Sequence, residues 1–240
     1  MQVPIHPVTN EMMIPIIEKF LAADHLNALL TPNPEMVMSA QRNKQLLTAL
    51  KEADLVIPDG IGLIIASRLK RLGLRERVTG IDTMEKILRI CAKQRLSFFM
   101  LGGKPGRAEK AAANICRQFP GIRIAGTHHG YFNDNDNPEV LALIKQKTPE
   151  VIFVCLGFPK QEIWINEHKA HLPGKIVMGA GGSIDVYAGE VKRAPVFYQR
   201  IGLEWFYRLM KEPSRITRMI VLPVFLWKAI WTRRETGVNS

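Results

Sequence analysis

Residues 55–70, LVIPDGIGLIIASRLK, hold the clue to the fold. Three apolar residues, Leu55, Val56 and Ile57, run into Pro58, Asp59 and Gly60, which are strong turn formers. A hairpin would need a second strand after the turn. Instead GLIIASRLKRLG (62–73) spaces its apolar residues as a helix does and puts basic residues on the outer positions. A strand that turns directly into a helix belongs to a parallel sheet. In such a sheet Asp59 stands at the carboxyl end of a strand, the edge where ligands bind.

Four further apolar runs read as strands: LNALL (26–30), SFFMLG (97–102), VIFVCLG (151–157) and KIVMGAG (175–181). IRIAGT (122–127) is a weaker sixth. Apolar runs without alternation mark strands covered on both faces. Between them lie helical patterns at 11–22, 83–94, 106–119 and 137–147. A long one at 33–53 carries an apolar stripe of Met36, Val37, Ala40, Leu47 and Leu50. The expected fold is α/β: a Rossmann-like, mostly parallel sheet with helices on both faces. Residues 1–190 would form this domain, and 191–240 a helical, basic, aromatic-rich appendage.

The 240 residues, 47% hydrophobic and 23% charged, have the composition of a globular protein. Cys91, Cys116 and Cys155 are scattered through apolar stretches, which argues against disulfides and structural zinc and fits a reducing cytoplasm. The N-terminus shows no signal-peptide pattern. The net charge is +11, and residues 189–240 hold ten Lys/Arg against four Asp/Glu. A basic tail calls for an anionic partner. Here the basic residues are interleaved with Trp205, Phe206, Tyr207, Phe225, Trp227 and Trp231, and the longest apolar run, Met219–Trp227, has nine residues. A spanning helix needs about 20. The pattern fits a segment lying in a membrane interface; a core-packed terminal helix is the plainer reading. No nucleic-acid-binding motif accompanies the charge, and exposed apolar residues in the tail leave a homo-oligomer open.

Six loops follow the six strands: TPNPE, PDGIG, GGKPG, GTHHGYF, GFPKQE and GAGGSID. Five contain glycine, which lets backbone N–H groups approach a nucleotide or sugar phosphate. The candidate binding residues here are Thr31, Asn33, Gly60, Gly103, Gly157, Lys160, Gln161, Gly181 and Gly182, with Tyr131 placed to stack on a base. Lys192 and Arg193 follow close behind. Helix capping alone would explain one of Thr31 and Asn33. Glu162 suits a first helical turn for dipole reasons alone. Asp134 and Asp136 look like a metal-binding DxD, but Asn and Asp beside a proline are ordinary loop chemistry. His128 and His129 read as structural, and no metal site is expected.

Taken in order, TPNPEMV, IPDGIG, GFPKQE, GAGGSIDVYAGEVKRAP and GLEWFYRLMKEPSR resemble the WecG/TagA/CpsF family, glycosyltransferase family 26, from about Thr31 to Arg218. The resemblance implies a metal-independent, inverting enzyme without a cofactor, peripheral at the inner face of the cell membrane. It implies transfer of N-acetylmannosamine from a UDP donor to undecaprenyl-diphosphate-linked GlcNAc, in teichoic-acid linkage assembly; other members move N-acetylmannosaminuronic acid or glucose. It places the base on Asp59, the sugar and acceptor pocket on Thr31, Asn33 and Gln161, and the appendage arginines on Arg208, Arg215 and Arg218. Two other classes remain at this point. A nicotinamide-dependent oxidoreductase would also use glycine turns, but no clean GxGxxG follows a strand with an acid about twenty residues on. A non-enzymatic membrane- or nucleic-acid-binding protein would explain the tail but not the polar strand ends.

Overall fold

A computed structural model of the chain describes residues 3–200, 202–211 and 221–231. Six parallel strands form one sheet: β1 (Asn27–Leu30), β2 (Leu55–Val56), β3 (Ser97–Gly102), β4 (Arg123–His128), β5 (Val151–Cys155) and β6 (Ile176–Gly179). Their spatial order is β2-β1-β6-β5-β3-β4. All six strands expected from the apolar runs are present.

The helices are α1 (Met13–Ala22), α2 (Pro34–Ala40), α3 (Lys44–Glu52), α4 (Ile61–Lys70), α5 (Gly80–Gln94), α6 (Arg107–Gln118), α7 (Asn137–Lys147), α8 (Lys160–His168) and α9 (Ser183–Tyr187). They are followed by α10 (Val196–Arg200), α11 (Glu204–Lys211) and α12 (Val221–Trp231). The single helix expected over 33–53 is two. The Asn43 side chain accepts from the Leu46 amide at 3.0 Å and starts a new helix, so the chain bends at Gln41–Asn43.

Side chains alternate across the sheet as its pleat requires. Phe98, Met100 and Phe153 pack with α1, α5, α6 and α9 on one face, while Phe99, Leu101 and Val154 pack with α3, α7 and α8 on the other. Phe98, Phe99 and Phe153 are fully buried; each such ring contributes about 2–3 kcal/mol of burial energy. A third cluster, Val37, Leu63, Ala66, Phe225 and Ala229, joins α12 to α2 and α4. The outer edge of β2 is covered by the N-terminal segment, where the His6 amide donates to the Val56 carbonyl at 2.9 Å.

β3 and β5 are neighbours, yet the chain leaves β3 for β4 on one side and β5 for β6 on the other. Such a switch point opens a crevice at the carboxyl edge. Gly102 makes the close approach there possible: its φ is +136°, and a Cβ would lie 2.2 Å from the Cys155 carbonyl oxygen.

Candidate active site

The carboxyl edge of the sheet opens into a cleft of about 730 Å³. All six strand-end loops contribute to its wall, so residues scattered from Thr31 to Asp185 meet in one place.

Asp59 is half-buried in this wall. The strand ends at Val56, and after Pro58 and Asp59, Gly60, with φ +107°, turns the chain into α4. That conformation suits glycine, and a Cβ there would press on Pro34 Cδ at 3.2 Å. The turn is pinned from two sides. The Asp59 amide donates to the Pro32 carbonyl at 3.1 Å, and the Gly80 amide, at the start of α5, donates to Asp59 Oδ2 at 3.2 Å. The carboxylate therefore faces the positive end of a fifteen-residue helix.

Thr31 and Asn33 lie beside it. Asn33 Oδ1 caps α2 by accepting from the Met36 amide at 3.0 Å, while Thr31 Oγ1 lies close against Gly80. On the opposite wall the Gln161 amide is locked. Its Oε1 accepts from the Gly181 amide at 3.1 Å and its Nε2 donates to Glu162 Oε1 at 2.6 Å. Glu162 is not a solvated first-turn acid. It is 1% exposed, Oε2 has no hydrogen-bond partner among the described residues, and burial pushes its carboxyl up to about 7 against the pull of the Gln161 bond.

The structure brings Thr31, Asn33, Asp59, Gly60, Gly103, Tyr131, Gly157, Gln161, Gly181 and Gly182 to one cleft. It does not bring Lys160, Lys192 or Arg193 there. Lys160 Nζ donates to the Phe132 carbonyl at 3.0 Å and sits 4.6 Å over that ring. Lys192 is exposed outside the cleft wall. Arg193 is spent on Asp82 and Glu204. Arg208 lies on α11, but its side chain is outside what is described; Arg215 and Arg218 lie outside the described residues.

Lys104, Arg107 and Arg77 also reach the cleft. Arg107 Nη1 pairs with Asp185 Oδ1 at 2.5 Å. Arg107 is the residue directly after GGKPG, so reading one residue further along that loop would have found it. Arg77 carries no local signal at all.

Among the described residues, no three His, Cys, Asp or Glu side chains are grouped to hold a metal ion. Asp136 Oδ2 accepts from the Asn133 amide at 2.9 Å, a loop bond. His128 Nδ1 is 2.8 Å from the His129 carbonyl oxygen and its ring meets Phe132 edge-on. Cys155 is a buried free thiol, and burial drives its pKa far upward.

The far wall of the cleft is supplied by the C-terminal helices, through Glu204, Val221 and Leu222. Their outer surface is apolar: Phe197, Met210, Trp227 and Trp231 are 67, 63, 62 and 73% exposed. Among the described residues no helix is long and apolar enough to cross a membrane.

The chain is 37% identical over 209 residues to a Bacillus spizizenii protein, with 87% of this chain and 80% of the relative covered. It is 34% identical to a Bacillus subtilis protein, covering 88% and 82%, and 35% identical to a Staphylococcus aureus protein, covering 95% and 89%. All three are named N-acetylglucosaminyldiphosphoundecaprenol N-acetyl-beta-D-mannosaminyltransferase. Residues 1–238 match the Glycosyl transferase WecG/TagA/CpsF family, and the chain belongs to that family.

Proposed function

We propose that the protein transfers N-acetylmannosamine from UDP-N-acetylmannosamine to undecaprenyl-diphosphate-linked GlcNAc, with inversion and without a metal ion. The relatives' shared name supports the sugar and acceptor. The observation that carries the chemistry is Asp59, held toward the cleft by Gly80 at the glycine-rich edge of the sheet.

Asp59 takes the proton of the acceptor hydroxyl as that oxygen attacks the anomeric carbon. The new C–O bond forms as the bond to the UDP diphosphate breaks, so one carboxylate suffices as base. The leaving diphosphate gains charge, which Lys104 and Arg107 offset. Fixed donors of this kind act without a metal. Tyr131, exposed at the rim, stacks on the uracil. Arg208, Arg215 and Arg218 add positive charge from the appendage. Lys160 and Lys192, candidate binding cations in the sequence, stand outside the cleft wall.

The exposed aromatic residues of α10 and α12 rest on the inner face of the membrane and bring the cleft to its lipid acceptor. Bulky apolar side chains beside basic ones suit such interfacial seating. The test is a panel of UDP-sugars with a short-chain prenyl-diphosphate-GlcNAc acceptor, read by mass spectrometry with and without EDTA. UDP-N-acetylmannosamine should give the one mass shift, unchanged by EDTA. Preference for a uronate or glucose donor, or a strict need for Mn²⁺ or Mg²⁺, would refute it.

A further inference from the structure

Glu204, at the first position of α11, is a buried carboxylate, only 7% exposed. Two arginines from distant parts of the chain share it. Arg77, between α4 and α5, donates from Nη2 to Oε2 at 2.8 Å, and Arg193, beyond α9, donates from Nε to Oε1 at 3.4 Å. Arg77 Nη2 also reaches the Gln199 carbonyl at 3.2 Å, tying in α10. The other arm of Arg193 donates to Asp82 Oδ1 in the first turn of α5. Asp82 Oδ2 accepts from the Thr79 hydroxyl at 2.6 Å, and its amide donates back to Thr79 Oγ1 at 3.1 Å. Two acids and two arginines balance in charge around the buried Glu204, and removing a member there leaves charge unpaired.

The same short segment holds the catalytic turn. Val78 donates its amide to the Pro58 carbonyl at 3.0 Å, and Gly80 donates to Asp59 Oδ2 at 3.2 Å. Residues 77–82 are therefore gripped by Glu204 and Arg193 on one side and grip the Asp59 turn on the other. None of the transfer chemistry described above uses Glu204.

We infer that Glu204 is a positioning residue: it seats the start of the appendage on Arg77 and Arg193, sets the first turn of α5, and through Gly80 aims the Asp59 carboxylate. The inference rests on Asp59 being the base. It makes the appendage part of the catalytic geometry as well as an anchor, because the base is aimed only when α11 is docked. A misplacement of about 1 Å at a reacting group costs on the order of a hundredfold in rate, so slackening this grip is visible in kcat.

The test uses the full chain, UDP-N-acetylmannosamine and the short-chain acceptor. Glu204→Gln keeps the shape and removes the charge. Expected, at a temperature where both proteins are fully folded, are a kcat lower by about tenfold or more with a donor KM within about threefold, a lower Tm because two arginines lose their shared carboxylate, and faster amide exchange confined to residues 77–82. Arg193→Lys, which keeps the charge but cannot bridge two carboxylates, should move the same quantities in the same direction and serves if Glu204→Gln fails to fold. On an Asp59→Asn background, Glu204→Gln should change the residual rate by less than about twofold, as for two residues acting as a unit. If Asp59→Asn transfers at the parental rate, the reading of the base fails. If Asp59→Asn is inactive while both other variants keep the parental kcat, or lose rate only in proportion to the fraction unfolded at the assay temperature, the positioning role is overturned and the base stands.

Discussion

The two edges of the sheet carry similar residues and use them differently. At the amino edge, polar side chains close the backbone. Asp54 Oδ2 accepts from the Ala28 amide at 2.8 Å, Glu150 Oε2 from the Ser97 amide at 2.7 Å, and Lys175 Nζ donates to the Ala23 carbonyl at 2.6 Å. Asn27 Nδ2 reaches the Lys175 carbonyl at 3.1 Å. At the carboxyl edge, Thr31, Asp59, Tyr131 and the loop glycines line open space. An acid at a strand end is thus no sign of function in itself; what counts is whether its surroundings seal it against the chain or leave it facing a cleft. Glu162 is the exception that sharpens this contrast, since it lies at the carboxyl edge but is turned into the protein.

The contrast can be broken by mutation. The largest effect belongs to Asp59→Asn: transfer should fall by about a thousandfold, the usual range for a general base, with UDP affinity and Tm nearly unchanged. Comparable loss of Tm would make Asp59 a structural residue like those of the other edge.

Next comes Glu162→Gln. The folded chain holds the Glu162 proton up to about pH 7 and the unfolded chain releases it near 4.5. Folding therefore takes up a proton in between, so stability falls as pH rises through that window and is flat above it. The full loss is on the order of 3 kcal/mol. Glutamine is neutral and can still accept from Gln161, so the variant should gain stability above pH 7 and show none of that fall in denaturant titrations. An unchanged pH profile would mean that Glu162 is ionised throughout.

The smallest effect is at the amino edge. Glu150→Ala strands the Ser97 amide and should cost about 2 kcal/mol of stability while leaving kcat as it was. A loss of activity without a loss of stability would blur the difference between the edges.

Much of this was legible in the sequence, and the reasons are local. The six strands announce themselves as continuous apolar runs because both faces are buried. Asp59 is legible because a Pro-Asp-Gly turn between a strand and a helix can only lie at the ligand edge. The break at Gln41–Asn43 was not legible, since the apolar stripe runs on across it and one asparagine cap decides the bend. Glu162 suited a first helical turn for dipole reasons alone; only the packing of α8 against the sheet buries it. Arg77 and Glu204 are 127 residues apart and meet only in the folded chain. Lys160 and Arg193, candidate substrate-binding residues in the sequence, find partners within the protein.

The central claim is that the carboxyl edge, and not the amino edge, is where the nucleotide sugar is held. Amide hydrogen exchange with and without UDP tests it most directly. The account predicts slowed exchange in the loops after β3, β4, β5 and β6, around Gly103, Tyr131, Gly157 and Gly181, with no change around Asp54, Ser97, Glu150 and Lys175. Protection at the amino edge, or none at either edge under saturating UDP, would contradict it.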